Sequence, residues 1–284
     1  LRKLSESYGM HVIATAATAL PAERIAQLDY EEREALLLAL VSELSEGVDH
    51  GGVRVRAGAL GRVRLGAQFE PALCALLVDA HRQTGAPLLC ELPAVPLHRA
   101  DAMAAEACAQ VSAMVEAGAR PERLLIAHAQ HALLPSASSL DASVDGLRGL
   151  LRLGVSLCFD GLGTDWMLAG STRSPQVVSD GEKHVWSDSQ VAAALVALCI
   201  ESLSSQLLIS PGVESALQLE SCGGGGWVHL VRAFLPLARR RGLAADAEAA
   251  IVRQNALRLF CYWTAPPPAK RLERPWRCTS CHRR

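Results

Sequence analysis

The strongest constraint on the fold of this chain is a pattern in which short apolar segments alternate with helical segments six times along 284 residues. The predicted strands are 11–18, 53–60, 87–92, 124–129, 155–160 and 206–210. The predicted helices are 30–44, 70–84, 102–117, 143–153, 187–203, 229–241 and 246–259. Segment 87–92 does not alternate apolar and polar residues, which is typical of a strand covered on both faces. Such repeated units predict a parallel sheet with right-handed crossovers, either open or closed into a barrel.

A glycine cluster helps to distinguish these two architectures. An open dinucleotide-binding sheet needs a glycine-rich turn between a strand and a helix, with an acidic residue downstream. Gly223 to Gly226 comes late in the chain, and no further strand–helix unit follows it. We therefore predict an α/β barrel, formed by residues 1–265, whose first two strands are missing from this chain. The two strand edges left unpaired predict aggregation or a homodimer.

Composition and charge exclude several functional classes. Half of the residues are hydrophobic, which is enough for a sizeable core. The 28 basic and 29 acidic residues nearly cancel, so we expect neither a nucleic-acid partner nor a highly charged one. The longest apolar runs, such as 192–200, are too short to cross a membrane, and residues 1–4 do not resemble a signal peptide. These features predict a cytoplasmic protein that does not bind membranes.

The first candidate functional residue is His128, which directly follows the apolar segment 124–127. In a barrel, the carboxyl ends of the strands carry the chemistry. A histidine at this position can also be a polar residue that simply ends a core strand. His131 would point away from His128 on a strand and is interpreted as a loop residue. Asp160 also ends a strand, where it can act as a base or begin an ordinary turn.

A series of short motifs runs in a fixed order along nearly the whole chain. They are Ala57-Gly58-Ala59-Leu60-Gly61, Thr84-Gly85-Ala86-Pro87, Ile126-Ala127-His128, Phe159-Asp160-Gly161-Leu162-Gly163, Leu208-Ile209-Ser210, Gly223 to His229 with Phe234-Leu235-Pro236, and Asn255-Ala256-Leu257-Arg258-Leu259. In this order and spacing they resemble the phosphotriesterase-related branch of the metal-dependent amidohydrolase superfamily. The resemblance implies a (β/α)8 TIM-type barrel whose last six strands are present here.

The resemblance also implies two divalent metal ions, usually zinc, which turn a bridging water into hydroxide. In the family, a His-x-His pair on the first strand holds them, together with a carboxylate on the fourth strand, one histidine on each of the fifth and sixth, and an aspartate on the eighth. Carried over to this sequence, the fourth-strand position is Arg62, the fifth is Glu91 and the sixth is His128. The family's final His-Asp is replaced by Pro211 and Gly212. The His-x-His strand would precede residue 1.

These substitutions predict a degenerate metal centre. His128 matches its family counterpart, and Glu91 can still bind zinc or another divalent metal. Arg62 carries a permanent cation and has no lone pair to donate, and neither Pro211 nor Gly212 can bind a metal or carry a proton. One hypothesis is a metal-dependent hydrolase of esters, lactones or N-acyl amides with an altered metal site. The alternative is a catalytically silent barrel that binds a metabolite or a protein partner.

Residues 266–284 are predicted to be a separate basic tail, because three consecutive prolines at its start cannot continue a helix. Its Cys278, Cys281 and His282 form a Cys-x-x-Cys-His pattern. This pattern is found at covalent haem attachment sites and also supplies half of a zinc site. Because haem attachment needs an oxidising compartment, we favour a zinc half-site that another chain completes.

Overall fold

A computed structural model describes the fold of most of the chain. The structure describes residues 5–7, 9, 11–18, 20–49, 51–96, 99–133, 140, 144–163, 186–213 and 215–261. The tail residues Cys278, Cys281 and His282 therefore lie outside the described residues.

Six strands form one parallel sheet, in the order in which they occur in the chain. They are β1 Thr15–Ala16, β4 Ala59–Arg64, β5 Leu88–Glu91, β6 Leu124–Ala127, β7 Ser156–Phe159 and β8 Leu207–Ile209. Two further strands, β2 Val48–Asp49 and β3 Arg54–Val55, form an antiparallel hairpin. Sequential order in a parallel sheet is the order of an α/β barrel, so the predicted strand–helix alternation is confirmed.

The second predicted strand lies at a different position from the one expected. The sequence pattern indicated 53–60, whereas the strand in the sheet is Ala59–Arg64. Gly51 and Gly52, with φ of 67° and 82°, turn the chain so that Arg54–Val55 pairs with Val48–Asp49 instead. The correction matters for function because it places Arg62 inside the strand.

Helices alternate with the strands along the chain. They are Ala22–Ile25, Tyr30–Ser45, Pro71–Thr84, Ala100–Glu116, Asp145–Arg152, Asp188–Ile200, Leu235–Arg240, Ala245–Ala249 and Asn255–Phe260, with π-helical turns at Leu230–Phe234 and Ala250–Gln254. Ser187 begins helix Asp188–Ile200 with a capping box to Gln190, which confirms the predicted start of helix 187–203. None of the described helices is both long and apolar enough to cross a membrane.

The two faces of the sheet are packed differently. The face toward the helices holds the main core, which includes Leu60, Leu88, Leu124, Ile126, Leu157, Phe159 and Leu207. The opposite face carries a small apolar cluster formed by Leu89, Leu125, Cys158 and Leu208 with Leu259 and Phe260 of the last helix. Both faces of the central strands are thus covered, as expected for parallel strands.

His81 joins the end of helix Pro71–Thr84 to the segment that leads into β6. Its side chain is fully buried, its Nδ1–H donates to the carbonyl of Ala86 at 2.7 Å, and its Nε2 accepts the backbone N–H of Arg120 at 2.9 Å. Since one ring nitrogen must accept, the ring is neutral in the folded protein. Burial lowers the pKa of His81 below its usual value of 6.5.

We expect the free energy of unfolding to fall as the pH is lowered from 7 to 5. The unfolded chain takes up a proton at His81 near pH 6.5 while the folded chain does not, so this stability is complete above that pH and is lost below it. Where the group is protonated only in the unfolded chain, each further fall of one pH unit lowers the free energy of unfolding by about 1.4 kcal/mol. His131, whose pKa burial also lowers, contributes with the same sign. Urea unfolding at pH 7, 6 and 5 measures the effect.

The matched variant is His81→Gln, since glutamine keeps a donor and an acceptor but does not titrate. Its loss of stability between pH 7 and 5 should be smaller than that of the unmutated protein. Equal losses in the two proteins would show that His81 is not the group responsible.

Candidate functional site

Polar side chains gather where the parallel strands end. Arg62 and Arg64 lie on β4, Glu91 ends β5, His128 follows β6 and Asp160 follows β7. Because all of these strands run in the same direction, their carboxyl ends meet at one edge of the sheet. The structure therefore brings the predicted site residues Arg62, Glu91 and His128 to the same edge.

Glu91 is held by two arginines. Arg62 Nη1 donates to Glu91 Oε2 at 2.8 Å, and Arg64 Nε donates to Glu91 Oε1 at 3.2 Å. The Glu91 side chain is only 16% exposed, whereas each arginine side chain is 61% exposed. Both carboxylate oxygens of Glu91 are thus engaged by cations, and the guanidinium groups lie on the solvent side of the carboxylate.

An irregularity in β4 explains how two arginines reach one carboxylate. Gly61 pairs with Leu89 and Val63 pairs with Cys90, so Arg62 is an extra residue without a partner in β5. Arg64 then lies directly opposite Glu91. Bulges of this kind redirect side chains and are common next to functional sites. Sequence reasoning missed Arg64, although its spacing of two residues from Arg62 was a usable signal.

His128 and Asp160 form a second polar pair at the same edge. His128 Nδ1–H donates to Asp160 Oδ1 at 2.8 Å, and the backbone N–H of His128 donates to Oδ2 at 3.2 Å. Gln130 Nε2 adds a third bond to Asp160 at 3.0 Å. Burial opposes ionisation of Asp160, but these hydrogen bonds outweigh it, and the pKa of Asp160 lies below its usual value.

His131 lies closer to His128 than the strand argument indicated. The two ring centroids are 5.4 Å apart, and the interpretation of His131 as a loop residue is confirmed. The reason is that β6 ends at Ala127: His128 has a left-handed backbone with φ of 59°, and Ala129–Ala132 forms a 3₁₀ turn. His131 Nδ1–H donates to the carbonyl of Leu92 at 3.0 Å, which ties it to the loop after β5.

Pro211 and Gly212 follow β8 at the same edge. Pro211 is buried. Gly212 has φ of 58°, and a Cβ atom placed on it would lie 2.4 Å from the backbone nitrogen of Gly161. The loops after β7 and β8 therefore touch at a place where no side chain fits. Neither position supplies a metal ligand.

A further pair, Asp188 and His229, connects the segments that follow β7 and β8. His229 Nε2–H donates to Asp188 Oδ2 at 2.5 Å, and Gly163 N–H donates to Asp188 Oδ1 at 2.9 Å. A Cβ on Gly163 or Gly225 would lie 2.6 or 2.8 Å from the His229 ring, so both glycines are needed for its close packing. Sequence reasoning missed this pair, because 41 residues separate its two members.

The described residues can be tested for a metal-binding arrangement. In the part of the chain that the structure describes, no group of three or more His, Cys, Asp or Glu side chains is placed to hold a metal ion. Glu91 faces arginines, and Asp160 faces His128 and Gln130. These carboxylates serve as partners of neighbouring side chains, so the residues present do not fit the two-metal centre that the family resemblance implies.

Comparisons with known proteins agree on one family. The family model described as the phosphotriesterase family matches residues 1–260. The chain is 24% identical to the N-acetyltaurine hydrolase of Tetraodon nigroviridis, covering 86% of this chain and 63% of that protein. It is 23% identical to the phosphotriesterase-related protein of Drosophila ananassae, and the match covers 86% of this chain and 64% of that protein. The chain thus spans less than two thirds of the length of these relatives.

Solved structures show the same fold. The phosphotriesterase homology protein from Escherichia coli, complexed with phosphate in its active site, matches 91% of this chain and 78% of its own, with a TM-score of 0.68 and 18% identity. A resiniferatoxin-binding protein from Rhodobacter sphaeroides matches 91% of this chain and 65% of its own, with a TM-score of 0.68 and 24% identity. These similarities confirm the predicted TIM-type barrel fold. With the family model covering residues 1–260, the chain belongs to the phosphotriesterase family, a family of metal-dependent hydrolases.

Proposed function

We propose that this chain is a phosphotriesterase-family barrel in which an ion-pair network replaces the two-metal centre. It binds a small molecule at the carboxyl edge of the sheet without metal-dependent hydrolysis. The observation that carries the proposal is the pairing of both Glu91 oxygens with Arg62 and Arg64.

A metal ion at this edge would compete directly with the arginines. It would have to displace two charge-assisted hydrogen bonds to use Glu91, and two guanidinium cations would remain beside it. Like unit charges 4 Å apart repel by about 4 kcal/mol at an effective dielectric constant of 20, and a divalent ion doubles that cost. Pro211 and Gly212 offer no ligand in compensation. The local electrostatics therefore favour an empty metal position.

A working hydrolase of small esters, lactones or N-acyl amides is the second candidate. The observation in its favour is the bond between His128 Nδ1 and Asp160. A carboxylate on one ring nitrogen is the usual support of a histidine that binds zinc or another divalent metal through its other nitrogen. A site of this kind would need ligands beyond the described residues.

Metal analysis of the purified protein distinguishes the two candidates. We expect less than one tightly bound divalent metal per chain by plasma mass spectrometry. We also expect no hydrolysis of aryl phosphotriesters, lactones or N-acyl amides, including N-acetyltaurine, above background. Two zinc ions per chain at the sheet edge would overturn the proposal.

Two variants make this measurement specific to the sheet edge. Cys278→Ser with Cys281→Ser removes the proposed zinc half-site of the tail, so that metal bound there is not counted. Glu91→Gln then tests the edge itself. The metal content of the tail variant with Glu91→Gln added should equal that of the tail variant alone. A lower metal content would identify Glu91 as a metal ligand.

Several sequence-based expectations remain predictions. These are the cytoplasmic location, the homodimer, the division into residues 1–265 and 266–284, and the zinc half-site at Cys278, Cys281 and His282.

A further inference from the structure

We propose that Arg62 and Arg64 form a binding site for a small oxyanion, such as a carboxylate, sulfonate or phosphate group. The proposal rests on the proposed function, since it assigns the edge of the sheet to an anionic ligand rather than to metal ions. It defines the ligand class by the chemistry of two adjacent guanidinium groups.

The two guanidinium groups have more hydrogen-bond donors than Glu91 uses. A guanidinium carries five N–H donors. Among the described residues, each of these arginines donates one hydrogen bond to Glu91. Glu91 bridges the two groups and takes one donor atom from each, Nη1 of Arg62 and Nε of Arg64. Most donors of both arginines therefore remain available for a ligand.

Arg62 and Arg64 lie on the solvent side of Glu91. Both arginine side chains are far more exposed than the carboxylate between them, so a molecule arriving from solvent meets the guanidinium groups first. The bridge through Glu91 holds the two groups side by side before any ligand arrives. Planar guanidinium groups bind carboxylate and phosphate oxygens through pairs of parallel hydrogen bonds.

The charge around Arg62 and Arg64 also favours an anionic ligand. Two arginines and one carboxylate leave a net positive charge at this part of the edge. Asp160, which follows β7 at the same edge, is already engaged by His128 and Gln130. An oxyanion next to Arg62 and Arg64 is therefore attracted, and the attraction should weaken as salt is added.

Calorimetric titration of the full chain with inorganic phosphate, and separately with acetate, tests this site. The protein is treated with a chelator beforehand so that metal-bound phosphate cannot contribute. Arg62→Gln with Arg64→Gln should weaken binding at least about tenfold, because two charge-assisted contacts are lost. The control is Arg239→Gln, which removes an arginine that pairs with Glu248 away from the sheet edge and should leave binding unchanged.

Glu91→Gln provides a readout that a purely structural ion pair would not move. It removes the competing negative charge and keeps one acceptor, so the anion should bind about threefold more tightly or better. Unchanged or weaker anion binding in this variant would overturn the proposal, as would unchanged binding in the double arginine variant.

Failure of this inference can be told apart from failure of the proposed function. If phosphate binding disappears on chelation and the untreated protein contains two zinc ions, the metal-free edge itself is wrong. If the protein is free of metal and phosphate binding does not depend on the arginines, only the anion site is wrong. Chelator-resistant binding that depends on Arg62 and Arg64 supports both.

Discussion

Gly212→Ala is expected to lower the free energy of unfolding by about 3 to 4 kcal/mol. About 1 kcal/mol of this comes from the left-handed backbone, with φ of 58°, which a side chain disfavours. The remainder comes from overpacking, because the new Cβ would lie 2.4 Å from the nitrogen and 2.8 Å from the Cα of Gly161. Backbone atoms cannot rotate away as a flexible side chain can. The midpoint of urea unfolding measures the change.

Gly51→Ala is the matched control for this prediction. Gly51 has a similar φ of 67°, and no atom of the described residues lies within 4 Å of a Cβ placed there. Its substitution should cost only about 1 kcal/mol, which is the cost of the backbone conformation. Equal unfolding midpoints for the two variants would mean that Gly161 does not restrict position 212.

The same contact limits any attempt to restore the family's metal ligands. The change Arg62→Glu with Pro211→His and Gly212→Asp supplies the ligand types that the family resemblance implies, but the aspartate has no room beside Gly161. We expect the triple variant to be destabilised and to bind no more zinc than the unmutated protein. Stoichiometric zinc in a stably folded triple variant would show that the two loops separate easily.

Asp160→Ala is expected to cost about 3 kcal/mol of stability. The carboxylate accepts the backbone N–H and the Nδ1–H of His128 and the amide of Gln130, and all three donors lose their partner when it is removed. The loss also releases His128 from its left-handed conformation. Asp160→Asn keeps one acceptor, and its own amide can donate to the alternative tautomer of His128. Asp160→Asn should therefore lower the free energy of unfolding by only about 1 kcal/mol.

The contribution of Asp160 should depend on pH in a defined direction. The pKa of Asp160 is lowered in the folded protein relative to its usual value of 3.8. Its stabilising effect is therefore complete above pH 3.8 and is lost as the pH falls through the folded pKa. Urea unfolding of the two variants at pH 7 and below pH 4 tests this. The control Asp145→Ala removes a carboxylate that is 67% exposed and paired with Arg148, and should cost less than about 1 kcal/mol.

The sequence by itself determined the architecture and the family. Buried parallel strands require unbroken apolar runs, so segments such as 87–92 and 124–129 were visible without coordinates. Helix starts were visible for a similar reason, since Ser187 and Gln190 lie within one turn of each other and form a local cap. The side-chain types at Arg62, Pro211 and Gly212 were also visible in the sequence, and a residue's identity alone decides whether its side chain can bind a metal.

Only the tertiary structure decided how the remaining polar residues are used. Arg64 joins Glu91 because a bulge in β4 shifts the pairing with β5, and strand pairing is set by contacts between segments distant in sequence. Asp160 reaches His128 across 32 residues because neighbouring parallel strands end at one edge. The close approach of Gly161 and Gly212 likewise depends on how two loops pack. Local sequence patterns carry little information about such long-range contacts, so the strands could be predicted but their polar partners could not.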